Sequence, residues 1–277
     1  MKIAIIGTGN MGGAIIRGLA KGKLVTGEDL ICANHTPEKL DLLKQEIPGL
    51  TITTNNIEAI EQANIIILAV KPKQIESVLF TINSCELQHG TSIVSVAAEV
   101  SIKAMQKRLY AKNDLAIFRV VPNTAIAVTE SVNFIATKNA NNEQTKFIMD
   151  LFSELGFTQL IDEKLISAGT ALASCGIAFA LRYIRAATEG GVELGFTAKE
   201  AQRIVAQTVK GAAELLLRTN SHAEVEIDKV TTGGGITIQG LNAMEKANFT
   251  GAVIAGLKTT KKEDQPLQPT TNKGVTL

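Results

Sequence analysis

The 277-residue chain is 45% hydrophobic and carries 28 Lys plus Arg against 27 Asp plus Glu, a formal net charge of +1. Length and apolar content predict two packed cores, and the balanced charge argues against nucleic acid or a lipid surface as partner, since no net field gathers phosphate. Cys32, Cys85 and Cys175 are too few and too far apart for a disulfide framework or a paired metal motif, so a cytoplasmic protein with reduced thiols is expected.

In chain order, apolar runs of strand length stand at residues 2–7, 30–33, 65–70, 92–96, 115–121 and 132–137, with helix-compatible stretches between them. This alternation predicts a parallel-rich sheet with helices on both faces. Residues 65–70 are apolar at every position, which suits a mid-sheet strand covered on both sides. They form the longest apolar run, far short of the ~20 residues of a membrane helix, so no membrane is expected; nor does the start of the chain read as an export signal.

Beyond Asp162 the β-branched runs fade. Ala-, Leu- and Glu-containing segments at 165–187, 197–217, 238–247 and 252–263 predict a helical second half. The first of them is poor in bulk, with Ala168, Ala171, Ala173, Ser174, Gly176, Ala178 and Ala180, and admits close approach of another helix or of a ligand. The expected organisation is an α/β domain over 1–162, an all-α domain over 163–264 and a mobile polar tail over 265–277, where Pro266 and Pro269 interrupt a segment without periodicity.

The first strand runs into Gly7-Thr8-Gly9-Asn10-Met11-Gly12, followed by Ile15, Ile16 and Leu19 at helical spacing. A GxGxxG turn between strand and helix is the fingerprint of a Rossmann-type, doubly wound domain that binds a dinucleotide. Gly7 makes the tight turn, Gly9 lets the backbone approach the diphosphate, and Gly12 lets the helix pack on the strand. Thr8, Asn10 and Met11 belong to the same cradle, at the positive end of the helix dipole.

A cofactor with a free ribose 2'-hydroxyl is usually gripped by a carboxylate at the tip of the second strand. Here that tip reads Ala33-Asn34-His35-Thr36. Asn34, His35 and Thr36 can donate to a 2'-phosphate, with Lys39 one turn further on as counter-charge. NADP(H) is therefore favoured over NAD(H), although a lone histidine such as His35 is more commonly a solvated loop residue.

Three further blocks, Leu68-Ala69-Val70-Lys71-Pro72, Arg119-Val120-Val121-Pro122-Asn123-Thr124 and Val230-Thr231-Thr232-Gly233-Gly234-Gly235-Ile236-Thr237, give the chain its family likeness. In their order and spacing, with the glycine turn and the helical second half, it resembles the pyrroline-5-carboxylate reductases across nearly its whole length. That resemblance implies reduction of a cyclic imine to L-proline by hydride from NAD(P)H, the last step of proline synthesis. It further implies that Ala69, Val70, Lys71 and Pro72 form a strand-end loop beside the cofactor, that Asn56 reaches the adenosine, and that Pro122 and Asn123 lie near the nicotinamide. Thr237 matches the substrate-contacting threonine and is taken as the catalytic residue.

A protonated imine is electrophile enough to accept hydride without a metal or a strong general acid, and no His, Cys and carboxylate cluster has metal-ligand spacing. Gly233, Gly234, Gly235 and Ile236 lead into a helix whose free amides suit the substrate carboxylate, with the Thr237 hydroxyl on the ring nitrogen; a flexible linker with a capping threonine is the competing reading. The family's usual Gly-Ser-Gly-Pro-Ala-Tyr appears here as Ser174-Cys175-Gly176-Ile177-Ala178-Phe179, its Ser-Pro-Gly-Gly-Thr-Thr as Thr232-Gly233-Gly234-Gly235-Ile236-Thr237, and a usual glycine as Glu99. Members of the family dimerise through the helical domain, and some build rings of dimers. A homodimer is therefore expected, with a ring as the further assembly.

Two other readings use the same scaffold: a reductase of another small cyclic imine, and a non-catalytic sensor of the NADP(H) pool. A β-hydroxy acid dehydrogenase is disfavoured, because residues 165–187 hold Arg182 and Arg185 but no lysine.

Overall fold

The computed structural model describes residues 1–261, and the tail expected to be mobile, 265–277, lies outside the described residues. Two compact units divide between Ser174 and Cys175. In the first, β1 (Ile3–Ile6), α1 (Asn10–Leu19), β2 (Leu30–Ala33), α2 (Pro37–Glu46), β3 (Thr51–Thr53), α3 (Asn56–Glu61), β4 (Ile65–Leu68) and α4 (Pro72–Ser84) alternate strictly. They are followed by β5 (Ser92–Ser95), α5 (Ile102–Arg108), β6 (Ala116–Val121), β7 (Ser131–Lys138), α6 (Asn142–Ser153), β8 (Gly156–Leu160) and α7 (Ile166–Gly169).

The strands form one sheet in the order β3-β2-β1-β4-β5-β6-β7-β8. All neighbours are parallel except β6 and β7. β4 lies mid-sheet, paired with β1 and β5, as its continuous apolar run requires. The period of two divides each strand between two cores. Ala4, Ile6, Ile66 and Leu68 pack with α3, α4 and α5 on one face, whereas Ile3, Ile5, Ile65 and Ile67 pack with α1, α2 and α6 on the other. Cys32 is one of these core residues, and burial pushes its thiol up to about 12.

The second unit, Cys175–Lys261, holds α8 (Gly176–Glu193), α9 (Ala198–Thr219), α10 (Ala223–Val230), α11 (Ile236–Lys246) and α12 (Phe249–Thr260). Thr197 and Glu200 start α9 with a reciprocal capping box. Between α7 and α8 the residues Thr170–Cys175 form a π-turn, a wider coil that often marks functional sites. The helical run Glu163–Glu193 is, among the described residues, long and apolar enough by length and composition to cross a membrane. Its alanines and glycines raise the mean hydropathy without an unbroken apolar run, so the expectation that no segment reaches membrane length is corrected to that extent.

Candidate active site

In the first unit, the loops singled out by the sequence leave the carboxyl ends of β1, β2, β3, β4 and β6, which run parallel and so open on one edge of the sheet. Strand order reverses between β1 and β4, and such a reversal opens the crevice where doubly wound sheets bind ligands.

The glycine turn is built as the sequence demands. Gly7 has φ +98°, and a Cβ there would lie 2.8 Å from the Ala69 carbonyl oxygen. A Cβ on Gly12 would sit 2.0 Å from the Gly7 carbonyl oxygen, so α1 rests directly on the turn. Around a Cβ on Gly9, by contrast, nothing among the described residues lies within 4 Å. Among the described residues no side chain caps α1, which leaves its first amides for an anion. Thr8 is 6% exposed, and its Oγ1 has no hydrogen-bond partner among the described residues. An orphaned buried hydroxyl costs about 1–3 kcal/mol, and a ligand oxygen would relieve it. Open space, bare amides and an orphan donor together fit a dinucleotide diphosphate.

At the tip of β2, Asn34 is half buried and its Nδ2 donates to the Thr36 carbonyl at 3.3 Å, while His35, Thr36 and Lys39 are exposed. Thr36 begins α2 without spending its hydroxyl on a cap, and Pro37 follows at the first helical position. Asn56 opens α3, but the cap is Asn55, whose Oδ1 accepts the Ile57 amide at 3.0 Å; an Asx cap two residues after Thr53 is a signal the sequence reading passed over. Ala69 and Val70 are half buried, Lys71 and Pro72 exposed, and the Lys71 amide donates to Gln74 Oε1 at 3.3 Å.

At the end of β6, Pro122 and Asn123 are buried. Asn123 Oδ1 accepts the Ala125 amide at 3.0 Å, and its Nδ2 donates to the Ala173 carbonyl at 3.5 Å. Arg119, 2% exposed, donates to Glu163 Oε1 at 3.2 Å, and the same oxygen accepts the Ile102 amide at 2.7 Å. Glu99, in the loop after β5, is exposed and takes φ +64°, the left-handed region that favours glycine.

In the second unit, Gly234 has φ +72° and the Gly235 amide donates to the Thr232 carbonyl at 3.0 Å. Among the described residues no side chain caps α11. Ile236 and Thr237 are already its first residues, so the helix starts two residues before the expected position and its free amides belong to Ile236, Thr237 and their neighbours. Phe179, Arg182, Tyr183, Met244, Phe249 and Val253 line an apolar cavity of about 510 Å³, in which the Tyr183 and Phe249 rings meet edge-on at 6.4 Å.

Compared with known proteins, the chain is 36% identical over 285 residues to pyrroline-5-carboxylate reductase 2 of Dictyostelium discoideum, covering 98% of this chain and 95% of that one. The chain belongs to the pyrroline-5-carboxylate reductase family. The family model for pyrroline-5-carboxylate reductase dimerisation matches residues 163–267, and that for NADP oxidoreductase, coenzyme F420-dependent, matches 2–99. Pyrroline-5-carboxylate reductase 1 of the same organism is 39% identical over 269 residues, although this chain spans only 48% of its length. Among solved structures, a Plasmodium falciparum pyrroline carboxylate reductase with NADP bound superposes with a TM-score of 0.82 at 26% identity, over 94% of this chain and 95% of that one.

The first unit binds a pyridine nucleotide. The departures noted in the sequence fall at identifiable places. Ser174 and Cys175 close the π-turn, Phe179 lines the apolar cavity, and Glu99 keeps a backbone conformation suited to the glycine it replaces.

Proposed function

We propose that the chain reduces 1-pyrroline-5-carboxylate to L-proline, using NADPH in preference to NADH. The observation that carries the reading is the family match through both units, over 98% of the chain. When bound, the reduced nicotinamide supplies hydride to the imine carbon, and a proton reaches the ring nitrogen. Gly7, Thr8, Gly9, Asn10, Met11 and Gly12 hold the diphosphate on the amides of α1. Asn34, His35 and Thr36 hold the 2'-phosphate, a choice supported by the absence of a carboxylate at the tip of β2. Asn56 would reach the adenosine, the loop 69–72 would border the cofactor, and Pro122 and Asn123 would lie near the nicotinamide. On α11, the amides after Gly234 and Gly235, including that of Ile236, take the substrate carboxylate, and the Thr237 hydroxyl bonds the ring nitrogen.

The working form is a homodimer formed through the second unit, with a ring of dimers as the further assembly. Among its described residues only Ala201 is buried, while Leu194, Leu217 and Ile236 are at least 79% exposed, and this apolar surface matches a dimerisation family. Three unpaired thiols, Cys32, Cys85 and Cys175, support a cytoplasmic location.

The test mixes purified protein, NADPH and pyrroline-5-carboxylate and follows the loss of reduced-nicotinamide absorbance. Turnover is expected; tight NADPH binding without turnover on any imine would favour the sensor reading instead. A second reading, another small cyclic imine, draws on the altered Ser174-to-Phe179 block and would show as faster turnover of that imine in direct competition. Thr237→Ala is expected to lower turnover with NADPH affinity unchanged, and equal loss of both would assign the residue to the fold.

A further inference from the structure

The end of β6 is pinned from behind. Ser174 Oγ donates to the Pro122 carbonyl at 3.2 Å, and Asn123 Nδ2 donates to the Ala173 carbonyl at 3.5 Å, so two adjacent residues of the π-turn meet two adjacent residues of the strand end. Asn123 is 7% exposed and commits its other side-chain atom to the Ala125 amide, while its own amide donates to the 1%-exposed Ser131 Oγ at 3.0 Å. The side chain of Asn123 therefore works inward. Nearby, a Cβ on Gly169 would lie 2.7 Å from the Phe134 ring, so the helical segment entering the turn lies close against the sheet.

A π-turn is wider than an α-turn and holds its carbonyls in positions an ordinary helix does not offer. Here the Ala173 carbonyl is placed to receive a side chain from the sheet. We propose that Asn123 and Ser174 are positioning residues of the hydride step: their side chains latch the π-turn to the strand end and fix the Pro122 and Asn123 backbone beside the nicotinamide, without themselves touching cofactor or substrate. The proposal rests on the reductase reading above. Displacing a positioned reactant by about 1 Å can cost about 100-fold in rate, so a latch of this kind acts on turnover more than on cofactor affinity.

The experiment compares the parent enzyme with Asn123→Ala, Ser174→Ala, Ser174→Thr and the double alanine variant, measuring kcat and KM with pyrroline-5-carboxylate and the NADPH Kd by nicotinamide fluorescence. Each single alanine variant should lose about tenfold or more in kcat with Kd within about twofold. The double variant should be no worse than the poorer single one, as expected of residues acting as a unit, and Ser174→Thr, which keeps the hydroxyl, should retain most of the rate. Multiplicative losses, a raised Kd at unchanged kcat, or unchanged kinetics would each overturn the latch while leaving the reductase reading intact. A parent enzyme that does not turn over would remove both.

Discussion

Gly9 and Gly12 stand three residues apart in one turn, yet their substitution by alanine should have opposite consequences. At Gly12 the added methyl would lie 2.0 Å from the Gly7 carbonyl oxygen and 3.1 Å from Ala69 Cβ. Ordinary contact needs more than 3 Å, and the nearer partner is backbone, so α1 must move off the turn by roughly 1 Å. Overpacking of this kind costs about 1–3 kcal/mol, which for a domain of this size lowers Tm by about 2–4 °C per kcal/mol. At Gly9 the methyl meets nothing within 4 Å, and φ −68°, ψ −167° is extended backbone open to any residue. Stability of Gly9→Ala should therefore match the parent or slightly exceed it. The methyl would, however, stand where the diphosphate approaches the backbone. Losing one charge-assisted hydrogen bond there costs about 2 kcal/mol, close to 30-fold in Kd. Thermal unfolding without ligand and fluorescence titration with NADPH separate the two effects. Unchanged affinity in Gly9→Ala, or a loss of stability equal to that of Gly12→Ala, would refute the assignment of Gly9 to the cofactor and Gly12 to packing.

Glu99→Gly should raise unfolding stability by up to about 1 kcal/mol, because the left-handed backbone costs a side chain about 1–2 kcal/mol, offset in part by the freer unfolded glycine; a lower Tm would show that the carboxylate stabilises the loop. Asp29 is held below the ordinary carboxylate range by hydrogen bonds from the Thr26 amide and hydroxyl. Its contribution is complete above the unfolded pKa and fades as pH falls through the lower, folded one, so Asp29→Asn should flatten the acid limb of the stability curve below about pH 4, as read by urea unfolding across pH. With a thiol pushed up to about 12, Cys32 should resist alkylation at neutral pH until the protein unfolds, whereas half-buried Cys175 should react first in a mass-spectrometric time course.

The sequence made the central sheet legible because a strand buried on both faces must be apolar throughout, as Ile65 to Leu68 are. It hid β3, whose Thr51-Ile52-Thr53 is short and at the sheet edge, and β8, whose Phe157 and Leu160 are exposed. At the opposite edge from β3, nothing forces a repeating pattern. The short acidic helix α10 escaped for a related reason, since Glu224, Glu226 and Asp228 carry no apolar stripe. The glycine turn was readable because Gly7 and Gly12 answer a backbone demand of the turn and Gly9 stands where a ligand would approach the backbone. The inward engagement of Asn123 was not: its partner Ala173 is 50 residues away, in a π-turn that no local pattern announces.

The second unit buries little besides Ala201, and a body with so thin an interior cannot offset the entropy of its own ordering. If a second copy supplies the missing interior, mass action enters its stability. Dilution then acts as a denaturant, and mixed populations exchange partners only as fast as those helices come apart.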